Sequence, residues 1–331
     1  MEEYHYLLDL ALILFTTKLF GLISQKFKMP QVVGALLAGL ILGPAVLNIV
    51  QKSNFITTTS EIGVIILMFC AGLETDVKEL KKCGKASFVI ALLGVIVPLL
   101  GGFGVAYFFN QPGIIDSGAT CNVFLQNVFI GVILTATSVS ITVETLKELG
   151  RLKSESGNAI LGAAIIDDIL GIIALTVITS LADSSVNVWI VLLKILGFFA
   201  MVVVAGFAFY KLYVWWANRS KHLRHRHAII CFVFCLGMSY AAEALFGVAD
   251  ITGAFFAGLI ISLTQSSEYL AKKFDVLSYL LLSPIFFASI GLNVVLPSMS
   301  VQIIVFAVVI TIVAIITKVI GCGLGAKICG Y

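Results

Sequence analysis

Residues 34–41 read GALLAGLI and residues 253–260 read GAFFAGLI, so six of the eight positions are identical. A second match lies further along, where Gly72-Leu73 corresponds to Gly291-Leu292 at the same separation of 219 residues. Glycine and alanine are common wherever membrane helices pack closely, and one such match is expected from composition alone. Because the separation is the same at both places, the sequence predicts an internal structural repeat.

The chain around these stretches is strongly apolar. Of its 331 residues, 60% are hydrophobic and 12% are charged, whereas soluble domains are about half apolar and about a quarter charged. We predict an all-α polytopic membrane protein, since a soluble α/β enzyme would need polar amphipathic helices between its strands and the sequence shows none. Eleven apolar segments are each long enough to cross a hydrocarbon core of about 30 Å. They cover roughly residues 4–24, 30–50, 57–75, 86–109, 122–146, 155–181, 188–217, 226–246, 249–265, 270–296 and 300–326.

The positive charges alternate between the loops that join these segments. Fifteen lysines and arginines lie in the odd-numbered loops or at the segment ends next to them, and Lys52 alone lies in an even-numbered loop. Cytoplasmic loops of membrane proteins carry an excess of Lys and Arg. We therefore predict a multi-pass protein of the cell membrane, with its N-terminus outside and residue 331 on the cytoplasmic side.

The repeat and the loop charges together predict the domain organisation. The second segment runs outward and the ninth runs inward, so the two repeats are inverted, an arrangement typical of secondary transporters. Residues 1–183 are predicted to form a first repeat of six helices, residues 184–218 a linker helix, and residues 219–331 an incomplete second repeat. At the same separation residue 331 corresponds to residue 112, so the sequence holds about 11 of an expected 13 transmembrane helices.

Two adjacent aspartates, Asp167 and Asp168, lie at the centre of the sixth segment, within the stretch AAIIDDILGI at 163–172. A charge at the bilayer centre costs at least about 2.5–3.5 kcal/mol. One carboxylate is explained if it caps a broken helix or pairs with a neighbour. Two in succession point about 100° apart on a helix and so face different partners. Asp167 and Asp168 are therefore the first candidates for a functional site.

A basic partner for one aspartate is predicted in the last segment. Lys318 lies a few residues past the centre of that segment, whereas the other lysines within segments lie near the ends, where a long side chain reaches the interface. Three glycines follow Lys318 within seven residues, and glycines allow helices to approach closely. The sequence predicts a buried ion pair between Lys318 and an aspartate; the alternative is that Lys318 also reaches the membrane surface.

A cluster of hydroxyl groups lies halfway along the fifth segment, where residues 135–140 read TATSVS. Single hydroxyls in membrane helices often bond back to their own backbone. Four in six residues instead indicate an unwound segment that exposes carbonyl groups and helix ends, as in the midplane cation sites of transporters. Carboxylate, hydroxyl and carbonyl oxygens together are suitable ligands for a hard monovalent cation.

The TATS element, the Asp-Asp pair in the next segment and the late lysine resemble those of bacterial sodium–proton antiporters of the NapA type. These belong to the second monovalent cation:proton antiporter family, which also includes the Kef potassium systems. The resemblance implies that Asp168 binds the cation, Na⁺ or another monovalent ion, and exchanges protons. It implies that Asp167 pairs with Lys318 and that Thr137 and Ser138 belong to the unwound crossing segment. It also implies a homodimer in which a core bundle moves against a dimerisation domain.

The main alternative is a Kef-like K⁺/H⁺ antiporter. Kef-type proteins typically have Gln-Asp at the paired position and a cytoplasmic nucleotide-binding domain, whereas this chain has Asp-Asp and no such domain before residue 331. Two remote alternatives are a cation channel and an intramembrane aspartyl hydrolase. The hydrolase would need catalytic aspartates on two facing helices, commonly with a Gly-x-Gly-Asp element that the sequence lacks.

The remaining motifs predict neither an enzyme nor a cofactor. No GxGxxG or P-loop pattern is present, so we expect no nucleotide, no ATP drive and no nucleic-acid partner. The transported Na⁺, Li⁺ or K⁺ and the proton are the expected small partners. The basic stretch NRSKHLRHRH at 218–227 is predicted to be a loop that faces membrane lipids.

Overall fold

The computed structural model describes residues 4–111, 122–182, 187–219, 224–296 and 300–331, and within these ranges it contains helices and loops but no strand. Two π-helical turns widen the helices: Ala241–Leu245 continues α9, and Ser278–Leu282 joins α11 to α12. The α-helices are α1 (His5–Lys26), α2 (Gln31–Leu42), α3 (Asn54–Glu74), α4 (Val77–Phe109), α5 (Val123–Ile133), α6 (Val139–Glu148), α7 (Glu155–Ala182), α8 (Val188–Arg219), α9 (Arg224–Tyr240), α10 (Asp250–Ser262), α11 (Ser267–Leu277), α12 (Ser283–Leu292) and α13 (Val301–Ile328).

Each of the eleven apolar segments contains a helix, so the predicted all-α architecture is confirmed for the described residues. Eight helices among them are long and apolar enough to cross a membrane, and α2, α5 and α10 are shorter apolar helices. The predicted second segment, 30–50, is too long, because α2 ends at Leu42. Gly43 has extended backbone there and precedes Pro44, and the residue before proline is disfavoured in a helix. The number of membrane crossings stays a prediction.

The chain forms two compact units. Unit 1 comprises Met1–Val77, Ser140–Lys153 and Phe198–Leu296, and unit 2 comprises Lys78–Val139, Ser154–Gly197 and Pro297–Tyr331. Each unit takes helices from both predicted repeats. The predicted boundaries at residues 183 and 218 separate the repeats of the sequence. The division into compact units does not test these boundaries, so they stay a prediction.

Backbone contacts in unit 1 recur at the separation found in the sequence. In each case a side chain at a glycine of one helix would collide with a carbonyl oxygen of another, so the helices pack backbone against backbone. The contacts form two sets, and within each set the residues correspond at a separation of 219. In the first set, Gly39 packs on Ala288 and Gly258 packs on Phe69. In the second set, Gly72 packs on Phe255 and Gly291 packs on Leu36. Thus α2 packs on α12 as α10 packs on α3. The inverted orientation of the two sets across a membrane stays a prediction.

Gly258→Ala is expected to lower the melting temperature of the purified protein in detergent. The added Cβ would lie 2.3 Å from the carbonyl oxygen of Phe69, so α10 and α3 would have to separate along a packed surface. Gly237→Ala in α9 is the matched control, since a Cβ there meets nothing within 4 Å. Alanine is the better helix former, so the control is expected to be neutral or more stable. Equal melting temperatures for the two variants would contradict the close packing.

Candidate functional site

The two aspartates lie near the middle of α7, of which the 27 residues Glu155–Leu181 form one of the long, predominantly apolar helices. Both positions are in unit 2. The side chain of Asp167 is only 5% exposed, whereas Asp168 is partly buried. The two neighbours therefore differ in environment, as expected for consecutive residues that point in different directions from a helix.

Lys318 on α13 lies directly against Asp167. Its Nζ is 3.0 Å from Oδ2 and 3.2 Å from Oδ1 of that carboxylate. The same ammonium group donates to the carbonyl oxygens of Gly94, at 2.9 Å, and Thr135, at 2.6 Å. An ammonium has three protons to donate, and here three acceptor groups surround it. The structure thus brings together the lysine and the first aspartate of the predicted pair.

Small residues position Lys318 in unit 2. A Cβ at Gly321 would lie 2.5 Å from the carbonyl oxygen of Leu93, and one at Gly325 would lie 2.7 Å from the Cα of Ile90. These contacts bring α13 against α4. A Cβ at Gly94 would in turn lie only 2.8 Å from Sγ of Cys322 on α13. The predicted close packing agrees with this geometry at Gly321 and Gly325 but not at Gly323, where a Cβ would meet nothing within 4 Å.

The fifth segment is interrupted where the hydroxyl cluster predicts an unwound stretch. Helix α5 ends at Ile133 and α6 begins at Val139, with five residues between them. The Thr135 hydroxyl donates to the carbonyl of Val132, and the Thr135 carbonyl accepts from Lys318. An unbroken helix would have used that carbonyl for its own backbone. The interruption therefore supplies an acceptor to the site.

Thr137 lies in the same interruption, beside Asp167. Its Oγ1 is buried and makes no hydrogen bond of normal geometry to any residue that the structure describes. The oxygen of this hydroxyl is suited to act as a neutral ligand of a cation. Ser138 follows it as the last residue before α6.

Asp168 differs from Asp167 in having no direct contact with a basic side chain among the described residues. Within the described ranges it forms no hydrogen bond and no ion pair, while the adjacent carboxylate is bound to Lys318. The site therefore consists of one neutralised carboxylate, one carboxylate without a counter-ion, and a buried hydroxyl on an unwound segment. Chemically, such a site can hold a single positive charge, either a proton or a small cation with a preference for oxygen ligands.

The family model for the transmembrane sodium/hydrogen exchangers matches residues 11–331 of this chain. The chain belongs to the sodium/hydrogen exchanger family. It is similar to the probable Na⁺/H⁺ antiporter GerT of Bacillus cereus, with 40% identity over 98% of this chain and 83% of the relative. It is also similar to the Na⁺/H⁺-K⁺ antiporter GerN of the same species, with 39% identity over 99% of this chain and 82% of that one.

A solved structure has the same fold. The sodium proton antiporter MjNhaP1 from Methanocaldococcus jannaschii superposes with a TM-score of 0.70, covering 100% of this chain and 80% of that one at 21% identity. The exchanger described here is thus a multi-pass membrane protein, and its family consists of transporters rather than enzymes. The NapA-type subgroup implied by the motifs stays a prediction.

The sequence predicted the side chains of this site but missed two backbone groups of the exchanger. The carbonyls of Gly94 and Thr135 both bind Lys318. A glycine in the middle of α4 is the one signal that marks a place where another helix approaches closely. Nothing in the sequence marks the Thr135 carbonyl as a ligand of Lys318, except the predicted break in the helix.

One prediction for the basic stretch 218–227 is wrong for its last residue. His227 is buried, with Nδ1 3.3 Å from the hydroxyl of Tyr213 and its ring 4.4 Å from that of Trp216. Aromatic packing between α8 and α9 therefore removes this histidine from a lipid-facing surface. Residues 220–223, including His222, lie outside the described residues.

Proposed function

We propose that this exchanger carries a monovalent cation, most favourably Na⁺, in one direction and protons in the other across the cell membrane. The proposal rests above all on the asymmetry of the aspartate pair. Asp167 is bound to Lys318 at 3.0 Å, and Asp168 has no counter-ion among the described residues. Because Lys318 neutralises Asp167, the carboxylate of Asp168 is available to bind the transported cation or proton.

Exchange follows if the cation and the proton use the same carboxylate. Ionised Asp168 attracts a cation, and protonated Asp168 does not, so occupancy by one excludes the other. The Thr137 hydroxyl, buried and without a normal hydrogen bond among the described residues, supplies a neutral oxygen ligand. Alternating access of the site to the two sides of the membrane then couples the flows. Among the residues of the site, Ser138 is proposed as a further ligand on the resemblance alone.

The relatives support sodium as the favoured ion. GerT is named a probable Na⁺/H⁺ antiporter, and a relative from Enterococcus hirae, 38% identical over 97% of this chain, is named an Na⁺/H⁺ antiporter. GerN carries potassium in its name as well as sodium, which keeps K⁺/H⁺ exchange as the second candidate.

We further propose a homodimer in contact with membrane lipids. The N-terminus is proposed to lie outside, in agreement with the loop charges.

Transport by the purified chain in liposomes tests this proposal. With a pH-sensitive dye inside, an external pulse of Na⁺ is expected to raise the internal pH, because protons leave as sodium enters. An equal pulse of K⁺ is expected to give a smaller rise. A larger response to K⁺ would favour the second candidate. Sodium uptake without any change of pH, at a clamped membrane potential, would indicate a channel instead.

A further inference from the structure

Unit 1 contains a cavity that the proposed transport site does not use. It encloses about 320 Å³, within the range of small-molecule sites, about 300–1,000 Å³. Its wall combines residues of α1, α2, α6 and α12 with the π-helical turn before α12. The lining residues that matter for the argument are Lys18, Gln31, Glu144, Tyr279, Leu280 and Phe287.

Most of the wall is hydrocarbon, with side chains such as Leu14, Val32 and Pro284. A bare Na⁺ ion needs oxygen ligands on several sides, and this mostly apolar wall offers few of them. An organic molecule of small size would bury its apolar surface here, at about 25 cal/mol per Å² removed from water. The cavity therefore suits an apolar body, and its polar groups decide which charge that body carries.

Several polar groups on the wall already have partners. The Thr17 hydroxyl donates to the carbonyl of Ile13, and Ser283 shares a hydrogen bond with Ser278. Lys18 donates to the hydroxyl of Tyr279 and also lies over its ring, 4.9 Å from the centroid. None of these groups needs a ligand.

The carboxylate of Glu144 is different. In the part of the chain that the structure describes it makes no hydrogen bond and no ion pair, although the residue is partly buried. Lys147, one turn further along α6, binds Asp275 and lies 3.7 Å from Glu74. That ammonium is committed to two other carboxylates. Glu144 thus lines an apolar cavity without an ion pair of its own among the described residues, and the nearby Lys147 offsets its negative charge only in part.

We propose that this cavity binds a monovalent organic cation, an ammonium with an apolar body, whose charge pairs with Glu144. The ring of Phe287 on the same wall adds a favourable contact, since aromatic residues recognise quaternary ammonium groups. Gln31 supplies an amide at the wall. The proposal does not depend on the transport function of Asp168, because the cavity lies wholly within unit 1 and the aspartates lie in unit 2.

Benzyltrimethylammonium is the probe, because its charge is permanent and does not depend on pH. Calorimetric titration into the purified full chain is expected to show saturable binding. Glu144→Gln keeps the shape of the side chain and removes its charge, and is expected to raise the dissociation constant at least about tenfold. Glu268→Gln is the matched control, since Glu268 is an exposed carboxylate of unit 1 paired with Lys272. Its dissociation constant is expected to equal that of the wild type.

A second variant tests the cavity itself. Leu280 is 63% exposed and lines the cavity, so Leu280→Trp fills part of the space without disturbing buried packing. It is expected to weaken binding even if Glu144→Gln is poorly folded. Unchanged affinity in folded Leu280→Trp, or in folded Glu144→Gln, would overturn the proposal.

Two further measurements separate this cavity from other sites. Asp168→Asn is expected to bind the probe as the wild type does, and added Na⁺ is expected not to displace it. Loss of binding in that variant would place the probe at the transport site and overturn the proposal. Phenylacetate, an anion of similar size, is expected not to bind. Binding of phenylacetate that disappears in Lys18→Met would show an anion site instead.

Discussion

Asp168→Asn is expected to reduce cation-for-proton exchange to the level of liposomes without protein, while the protein still inserts and folds. Asparagine has nearly the same shape but neither an ionisable proton nor a negative charge, so it can neither release a proton nor attract a cation. Fold is expected to persist because the described residues form no hydrogen bond or ion pair with Asp168. The measurement is the rate of internal pH change after a pulse of Na⁺.

Asp9→Asn provides the matched control for this variant. Asp9 lies in α1, in unit 1, and Asp9→Asn is the same chemical change at a residue that is not part of the proposed site. Its exchange rate is expected to equal that of the wild type. Normal exchange by Asp168→Asn would remove this residue from the mechanism, and another carboxylate would have to carry the proton.

Lys318→Gln is expected to lower the melting temperature more than the double variant Asp167→Asn with Lys318→Gln. The single change leaves the Asp167 carboxylate, 5% exposed, without its counter-ion. Loss of one member of a buried pair costs about 3–5 kcal/mol in water-soluble proteins. The double change removes both charges. Any loss of hydrogen bonds to the carbonyls of Gly94 and Thr135 is common to the single and the double variant, so their comparison isolates the effect of the Asp167 charge.

A double-mutant cycle on the melting temperature in detergent measures this coupling. Lys211→Gln is the control, because Lys211 is exposed, lies over the ring of Phe207 and forms no ion pair with any residue that the structure describes. That change is expected to have little effect. Strict additivity of the Lys318 and Asp167 changes would mean that the two side chains do not stabilise one another.

Much of the site was accessible from the sequence because charge is so unfavourable in an apolar segment. Asp167, Asp168 and Lys318 stand out for that reason alone, and the hydroxyls of residues 135–140 indicated the break that the structure places between Ile133 and Val139. The sequence pattern alone did not show which of the two aspartates contacts Lys318, and only the family resemblance assigned Asp167 to it. Adjacent residues differ by about 100° in direction, and only the position of a neighbouring helix decides between them.

The sequence by itself determined the all-α membrane architecture, the residues that carry buried charge and the separation of 219 residues at which backbone contacts recur. These features follow from local composition and spacing, which do not depend on the helix that packs alongside. Only the tertiary structure decided that Lys318 binds Asp167, that the carbonyls of Gly94 and Thr135 complete its shell, and that His227 is buried. It also decided that Glu144 faces a cavity without a partner among the described residues. The physical reason is that ion pairs, backbone acceptors and cavities depend on how far apart helices pack, and that distance is set by residues distant in the chain.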